Sequence, residues 1–292
     1  MILVTGAGGK TGRAVIQALA ERGEAVRAFV RRETRVVGAK QIIVGDLRDE
    51  AAVRRAMEGA RAVYHICPNI SPEEQRIGEL IIGAARAAGL EHFVFHSVLH
   101  PQVEAMPHHW SKLRVEEMLF ESGLPFTILQ PTAYMQNLLT GWKSMVEEGL
   151  LRHPYPIETK ISQVDLDDVA EAAAKVLTEP GHAGATYELV GTPPLTQTDV
   201  AETLSWALGR PVRAEAESVE TWEARARASG MGEYQRETLA KMFRYYEQHG
   251  LGGNPSVLGW LLGCPPTSLA EFAAWAVQGE APRSRKPRYC EG

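Results

Sequence analysis

Short apolar runs alternate with longer amphipathic segments over the first half of the chain. The runs are rich in Val, Ile and Phe and predict six strands, at residues 2–5, 26–30, 41–44, 62–66, 92–96 and 126–130. Apolar residues between them recur at helical spacing and predict helices over 11–21, 49–57, 72–88 and 108–122. This alternation indicates βαβ crossovers and a parallel sheet whose strands are buried on both faces.

The pattern loosens after residue 131. Helices are predicted over 132–148 and 165–177, and a late strand near 186–190 returns to the sheet. Beyond residue 191 the chain reads as mainly helical. We therefore predict an α/β fold: a Rossmann, doubly wound parallel sheet in residues 1–155, and a smaller, mainly helical C-terminal substrate-capping subdomain in residues 192–292.

Composition and charge narrow the classes of protein that this chain can be. Of its 292 residues, 45% are hydrophobic and 23% charged, and the formal net charge is −5. Such a chain builds a substantial core, and its acidic balance argues against direct nucleic-acid binding. A basic cluster at 283–288 is interpreted as a solvated terminus. No charged leader precedes the first strand and no apolar run could span a membrane, so no membrane partner is expected.

The cysteines and histidines give no sign of a metal site. Three histidines lie close together in sequence without an accompanying carboxylate cluster: His96, His100 and His109. The three cysteines share no Cys-x-x-Cys spacing: Cys67, Cys264 and Cys290. That spacing suits a reducing compartment and offers neither a zinc site nor a disulfide framework. We expect a cytoplasmic protein without a metal.

Residues 5–13 read TGAGGKTGR, which invites both a P-loop and a dinucleotide-binding interpretation. A P-loop needs G-x-x-x-x-G-K-[ST], but the residue five positions before Gly9 is Val4, so that pattern fails. The strict G-x-G-x-x-G fingerprint also fails, because Thr11 occupies its last position. The variant G-x-x-G-x-x-G fits and ends at Gly12.

This glycine turn predicts that the chain binds a dinucleotide pyrophosphate. Its first glycine permits a tight exit from the strand, its central glycines let backbone amides approach the ligand, and its last lets the helix pack on the strand. The pyrophosphate would lie over the N-terminal amides of the helix, where the dipole favours negative charge. The turn residues assigned to the cofactor are Gly6, Gly8, Gly9, Lys10, Thr11 and Gly12.

Two arginines follow the second strand, at the place where an acidic residue would favour NAD and an arginine the 2′-phosphate of NADP. Arg31 and Arg32 suit bidentate, charge-assisted bonds to that phosphate, although Glu33 keeps NAD binding open. We predict a preference for NADPH. After the third strand, Asp46 is suited equally to accepting a bond from the adenine amino group and to stabilising a turn, and Leu47 follows it in the same cofactor-binding loop.

With these motifs in place, the chain resembles the NmrA-like branch of the atypical short-chain dehydrogenase/reductase superfamily. The resemblance spans nearly the whole chain and rests on residues 6–12, 26–32, 45–47, 122–137 and 242–268. It implies NAD(P) binding on a Rossmann domain. It also implies one of several activities: reduction of quinones, azo dyes or triphenylmethane dyes, or redox sensing without catalysis.

The superfamily uses a serine after strand five and a Tyr-x-x-x-Lys pair on the next helix. Ser97 and Lys112 match the serine and the lysine, but His108 stands where the tyrosine would be. Residues four apart share a helical face, so His108 and Lys112 are both expected to point at the nicotinamide ribose. With an unperturbed pKa of about 6.5, a histidine could donate a proton near neutrality, and simple cofactor contact or solvent exposure is the alternative.

The segment that follows strand six should lie at the carboxyl edge of the sheet, where ligands bind in open α/β folds. The resemblance implies that it borders the nicotinamide and the substrate, with Pro131 at the cofactor. Tyr134 could donate a proton, stack on an aromatic substrate or simply pack. The residues assigned to the substrate are Trp110, Tyr134, Met135, Asn137, Tyr245 and Trp260.

These observations favour an NADPH-dependent oxidoreductase that transfers hydride to a planar hydrophobic acceptor such as a quinone or an azo compound. Such acceptors need no strong enzymic acid, so the absent tyrosine is tolerable. The alternative is an NADP(H)-binding redox sensor that signals to a protein partner. The chain is also compatible with a homodimer.

Overall fold

The fold is taken from a computed structural model, which describes residues 1–279. Its strands are β1 Ile2–Val4, β2 Val26–Val30, β3 Gln41–Val44, β4 Ala62–His65, β5 His92–His96, β6 Phe126–Pro131, β7 Ala133–Tyr134, β8 Leu150–His153, β9 Gln163–Val164, β10 Ala185–Leu189 and β11 Arg213–Ala216. Its α-helices are α1 Lys10–Glu21, α2 Glu50–Met57, α3 Glu74–Ala88, α4 Pro107–Ser122, α5 Trp142–Glu148, α6 Leu166–Thr178, α7 Gln197–Leu208, α8 Val219–Ala228, α9 Glu233–His249, α10 Pro255–Leu262 and α11 Leu269–Val277.

Two compact units divide the chain. The first comprises Met1–Val103, His108–Gln130 and Val169–Tyr187, and a seven-stranded sheet in the order β10-β6-β5-β4-β1-β2-β3 organises it. The pairings that link β3 through β6 are parallel. Strand order 3-2-1-4-5-6 is that of the doubly wound dinucleotide-binding fold, so the predicted fold class is confirmed.

The core of the first unit explains why its strands are continuous apolar runs. Ile2, Leu3 and Val4 are all fully buried, since β1 lies in the middle of the sheet with helices on both faces. Phe93 and Phe95 of β5 are also fully buried and join the cluster that α2, α3 and α4 cover. The side chains of these strands therefore hold the sheet rigid at the edge where its loops emerge.

Among the described residues, the second unit comprises Glu104–Pro107, Pro131–Asp168 and residues 188–279. Its core gathers Met135, Met145, Leu204 and Phe272, which are all fully buried or nearly so. Two short parallel pairs, β7 with β9 and β8 with β11, join segments that lie far apart in sequence. These pairs fasten the helices of the second unit to one another.

Two features of the second half differ from the sequence predictions. Residues 132–148 are not one helix, because β7 pairs with β9 and a 3-10 helix, Met135–Gly141, precedes α5. The strand β11 lies in a stretch predicted as mainly helical, and it is short and mostly exposed, so its alternation is weak. Cys67 is free and buried. Cys290 and the basic cluster at 283–288 lie outside the described residues.

Candidate active site

The glycine turn leaves β1 and enters α1 through positions where side chains do not fit. Gly6 has a φ of 59°, and a Cβ there would lie 2.7 Å from Cγ2 of Ile66. A Cβ on Gly12 would lie 2.5 Å from the carbonyl oxygen of Gly6, a backbone atom that cannot rotate away. These two glycines are therefore needed for the turn itself and for the close approach of α1 to it.

The central glycines of the turn serve a different purpose. A Cβ on Gly8 would meet no atom within 4 Å, so packing inside the protein does not demand a glycine there. Gly9 is the N-cap of α1 and has no side-chain capping bond, which leaves the first-turn amides to be satisfied by something other than a cap. Lys10 is exposed at the start of α1, and Thr11 is buried beneath it. The turn has the shape and polarity of a diphosphate site, and the residues present fit that group.

Cationic side chains stand where the adenosine end of a dinucleotide would lie. Arg31 and Arg32 are both exposed immediately after β2. Arg48, which sequence reasoning missed, donates to the two carboxylate oxygens of Asp46 at 2.9 and 2.6 Å, and its own amide donates to Asp46 at 2.9 Å. These bonds, with a smaller contribution from Arg31, lower the pKa of Asp46 to about 2. The only local signal for this pair was the Asp-x-Arg spacing.

The hydrogen bonds and burial of Asp46 and Leu47 limit the contacts that these residues can make with a cofactor. Both carboxylate oxygens of Asp46 already accept bonds from Arg48, so an adenine amino group would have to share them. Leu47 is 8% exposed and its side chain belongs to the core of the first unit. A cofactor contact of Leu47 would therefore involve its backbone.

At the nicotinamide side, α4 presents three ionisable residues on one face. His108, Lys112 and Glu116 are spaced four apart, so they follow one another along the helix. Ser97, directly after β5, donates a hydrogen bond from its hydroxyl to Glu116. Gln130 donates to both oxygens of Glu116, at 3.0 and 3.1 Å. Burial raises the pKa of Glu116 above its usual value.

Lys112 is held by groups that come from two other elements. Its ammonium lies 2.8 Å from Oε1 of Glu74 and donates to the carbonyl oxygen of His96 at 3.0 Å. It also lies 5.1 Å from the centre of the Phe95 ring. The side chains of Lys112 and Glu74 are only 4% and 1% exposed, so this is a buried ion pair. Sequence reasoning missed Glu74, because nothing local links the start of α3 to the middle of α4.

We call these interior groups the buried polar layer: Glu74, Ser97, Lys112, Glu116 and Gln130. It lies at the carboxyl ends of β4 and β5, since Lys112 bonds to the last residue of β5 and Ser97 follows that strand. In a doubly wound fold this edge is where the reactive end of a dinucleotide binds. The layer can supply fixed charge and hydrogen bonds there without exposing them to water.

A comparison with known families decides the relationship. The model of the NmrA-like family matches residues 1–274. The chain belongs to the NmrA-like family. The resemblance that the sequence motifs suggested is therefore confirmed.

Relatives of about 30% identity over nearly the whole chain include oxidoreductases. The chain is 31% identical to an NAD(P)H azoreductase of Xenophilus azovorans, over 94% of this chain and 96% of that protein. It is 30% identical to Quinone oxidoreductase 2 of Escherichia coli, over 93% of this chain and 96% of the other. The crystal structure of an NADPH-dependent quinone oxidoreductase from Escherichia coli, complexed with NADPH, aligns with a TM-score of 0.83 and 29% identity, covering 94% of this chain and 99% of that one.

Burial keeps three histidines near Lys112 of this NmrA-like chain neutral: His65, His96 and His108. His65 shares a hydrogen bond of 2.9 Å with Thr5, and His96 shares one of 2.5 Å with Tyr64. Burial, reinforced by the charge of Lys112, lowers the pKa of His108 to about 3. Near neutrality the imidazole of His108 is therefore uncharged, and its role toward the cofactor or substrate stays a prediction. It can donate a hydrogen bond, but it is a poor proton donor.

The residues predicted to touch the substrate lie in varied surroundings. Trp110 is half-buried in the first unit, 4.6 Å from the guanidinium of Arg114. In the second unit, Met135 is fully buried in the core, so its side chain packs instead of lining an open surface. Trp260 is 77% exposed on α10.

The remaining predicted residues lie on the second unit as well. Pro131 is buried at the end of β6, Tyr134 is half-buried in β7 and Asn137 is exposed in the 3-10 helix. Tyr245 is half-buried on α9, with its ring centre 4.7 Å from that of His249. The roles of these residues toward a substrate stay predictions.

A pocket of about 690 Å³ opens on the second unit. Tyr155, Glu217 and Arg244 are among the residues that line it, and the residues predicted for the substrate are not. Among residues 1–279, no cluster of His, Cys, Asp or Glu is suited to holding a metal ion. Over the same residues, no helix has the length and apolar character to cross a bilayer.

Proposed function

We propose that this NmrA-like protein is an NADPH-dependent oxidoreductase that reduces planar, hydrophobic acceptors of the quinone or azo class. The observation that carries this proposal is the glycine turn, with open space at Gly8, followed by the exposed Arg31 and Arg32 at the end of β2. Two relatives support the acceptor class, because they are named as an azoreductase and a quinone oxidoreductase.

NADPH, when bound, supplies a hydride from its nicotinamide ring. The turn would hold the diphosphate through the amides at the N-terminus of α1, where the helix dipole favours an anion. Arg31 and Arg32 would bind the 2′-phosphate, a contact that NADH cannot make. Lys112 would contact the nicotinamide ribose, with its ammonium held by Glu74.

Acceptors of this class suit a site that lacks a strong acid. His108 is neutral near pH 7, and Ser97 already donates its hydroxyl proton to Glu116. A quinone or azo compound accepts a hydride to give a stabilised anion, which water can protonate. The chain therefore contributes proximity, orientation and fixed charge, and no obligatory proton transfer.

The test is consumption of NADPH by the purified protein in the presence of a panel of quinones and azo compounds. We expect acceptor-dependent oxidation of NADPH that exceeds the rate without protein, with a weaker response to NADH. The control is the same panel with the Arg31→Ala variant, which should need more NADPH to reach the same rate. Tight binding of both cofactors without turnover of any acceptor would contradict the proposal and favour the redox sensor.

The sensor is the second candidate, and one observation favours it: His108, which stands at the position of the superfamily's tyrosine, is uncharged near neutrality. A cytoplasmic location, a homodimer and the lack of a nucleic-acid partner stay predictions for either function.

A further inference from the structure

The ion pair of Glu74 and Lys112 is unusual among those of the first unit. Pairs such as Arg22 with Glu171 or Arg54 with Glu50 join partly exposed side chains at the surface. Exposed pairs of that kind contribute little to folding. Glu74 and Lys112 are almost completely buried, where an ion pair repays its loss of hydration only with good geometry. Such a pair calls for a functional explanation.

Glu74 is the carboxylate in direct contact with Lys112, and the charge of Lys112 also acts on Glu116, one turn further along α4. The charge of Lys112 also acts on four histidines, and burial lowers the pKa of each, so they stay neutral: His65, His96, His108 and His109. Burial and the carboxylate of Glu74 together raise the pKa of the Cys67 thiol, which stays protonated. Glu116 is bonded to Ser97 and Gln130 on another side of the layer.

Glu74 makes few other polar interactions. Apart from the ion pair, neither of its carboxylate oxygens has a hydrogen-bond partner of normal geometry among residues 1–279. It stands at the first residue of α3 but is not that helix's N-cap, which is Glu73. Its carboxylate is therefore placed for Lys112 and not to cap its own helix.

We propose that Glu74 is a positioning residue of the redox site, which fixes Lys112 at the carboxyl ends of β4 and β5 and cancels its charge there. The inference rests on the proposed function. Oxidised NADP carries a positive charge on its nicotinamide ring and NADPH does not. The charge of an unopposed Lys112 would weaken the binding of the oxidised form. A neutral ion pair would not favour the binding of either form. Glu74 thus sets the relative affinity for the two oxidation states.

The test measures the dissociation constants of NADP⁺ and NADPH and takes their ratio for each variant. Glu74→Gln should raise the ratio of the NADP⁺ constant to the NADPH constant about tenfold, as for one charge acting over roughly 10 Å in a protein interior. Lys112→Met, which leaves Glu74 unopposed, should lower the ratio. The double variant should restore the ratio of the wild type to within about threefold, although both constants are expected to weaken. A purely structural role would not move the ratio in opposite directions.

Glu79→Gln is the matched control, because Glu79 lies on the same helix and is exposed. It removes the same charge and should leave the ratio unchanged. If Glu74→Gln does not fold, the comparison of Lys112→Met with the double variant still decides the matter. Ratios that do not differ among folded variants, while the wild type binds both cofactors, overturn this inference alone. A wild type that binds neither cofactor overturns the proposed function and this inference with it.

Discussion

The two ends of the proposed cofactor site are built in opposite ways. At the adenosine end, Arg31, Arg32 and Arg48 are exposed charges on short loops. At the nicotinamide end, the buried polar layer hides its charges, and each is satisfied by a group from another element. The first arrangement lets a ligand's phosphate displace water from flexible cations. The second fixes its charges in advance, which is the condition for electrostatic control of a reaction.

The largest predicted change in stability comes from substitutions in the buried polar layer. Lys112→Met leaves Glu74 buried without its cation and should lower the free energy of unfolding by about 3–5 kcal/mol. Replacing both partners, in Glu74→Gln with Lys112→Met, should recover a large part of that loss. Urea unfolding measures both values. Equal losses in the single and double variants would show that the pair is not coupled.

Substitutions in the glycine turn should change stability less, and they should separate a glycine needed for folding from one needed for cofactor binding. In Gly12→Ala the new Cβ meets the Gly6 carbonyl oxygen, and such overpacking costs about 1–3 kcal/mol. Gly8→Ala meets no atom of the protein, so its stability should change by less than about 0.5 kcal/mol while its NADPH affinity falls. Thermal unfolding and cofactor titration of the two variants separate folding from binding. Equal NADPH affinity in Gly8→Ala and the wild type would remove Gly8 from the site.

At the adenosine end, a single arginine should affect binding without affecting folding. Arg31→Ala should weaken NADPH binding about tenfold and leave NADH binding nearly unchanged, because only NADPH carries the 2′-phosphate. The matched control is Arg55→Ala, an exposed arginine on α2. If NADH binding falls by the same factor, Arg31 does not read the phosphate.

The smallest effect concerns pH. The pKa of Asp46 is lowered from 3.8 to about 2, so this carboxylate stabilises the fold above pH 4 and loses its contribution as the pH falls from 4 to 2. Asp46→Asn should therefore lose a little stability at pH 5 and match the wild type near pH 2. Because Asp46 and Arg48 are both substantially exposed, the difference should be slight. A constant difference across that range would mean that the ionised carboxylate is not the cause.

Much of the first unit could be predicted because its signals are local. The strands are apolar runs that stay buried on both faces, and the spacing of the glycines reflects turn geometry within a few residues. The second unit was harder. Its strands β7, β8 and β11 are two to four residues long and pair with segments that are distant in sequence. They are therefore too short to show a periodic pattern of apolar residues.

The sequence by itself determined the parallel sheet, the glycine turn, the arginines after β2 and the family, since each depends on residues that are neighbours along the chain. Only the tertiary structure decided the charge state and availability of the interior groups. It placed Glu74 against Lys112, brought the Ser97 hydroxyl to Glu116 as a hydrogen-bond donor and lowered the pKa of the partly buried His108. The physical reason is that desolvation and ion pairing depend on what surrounds a group in space, and the partners of these groups come from other strands and helices.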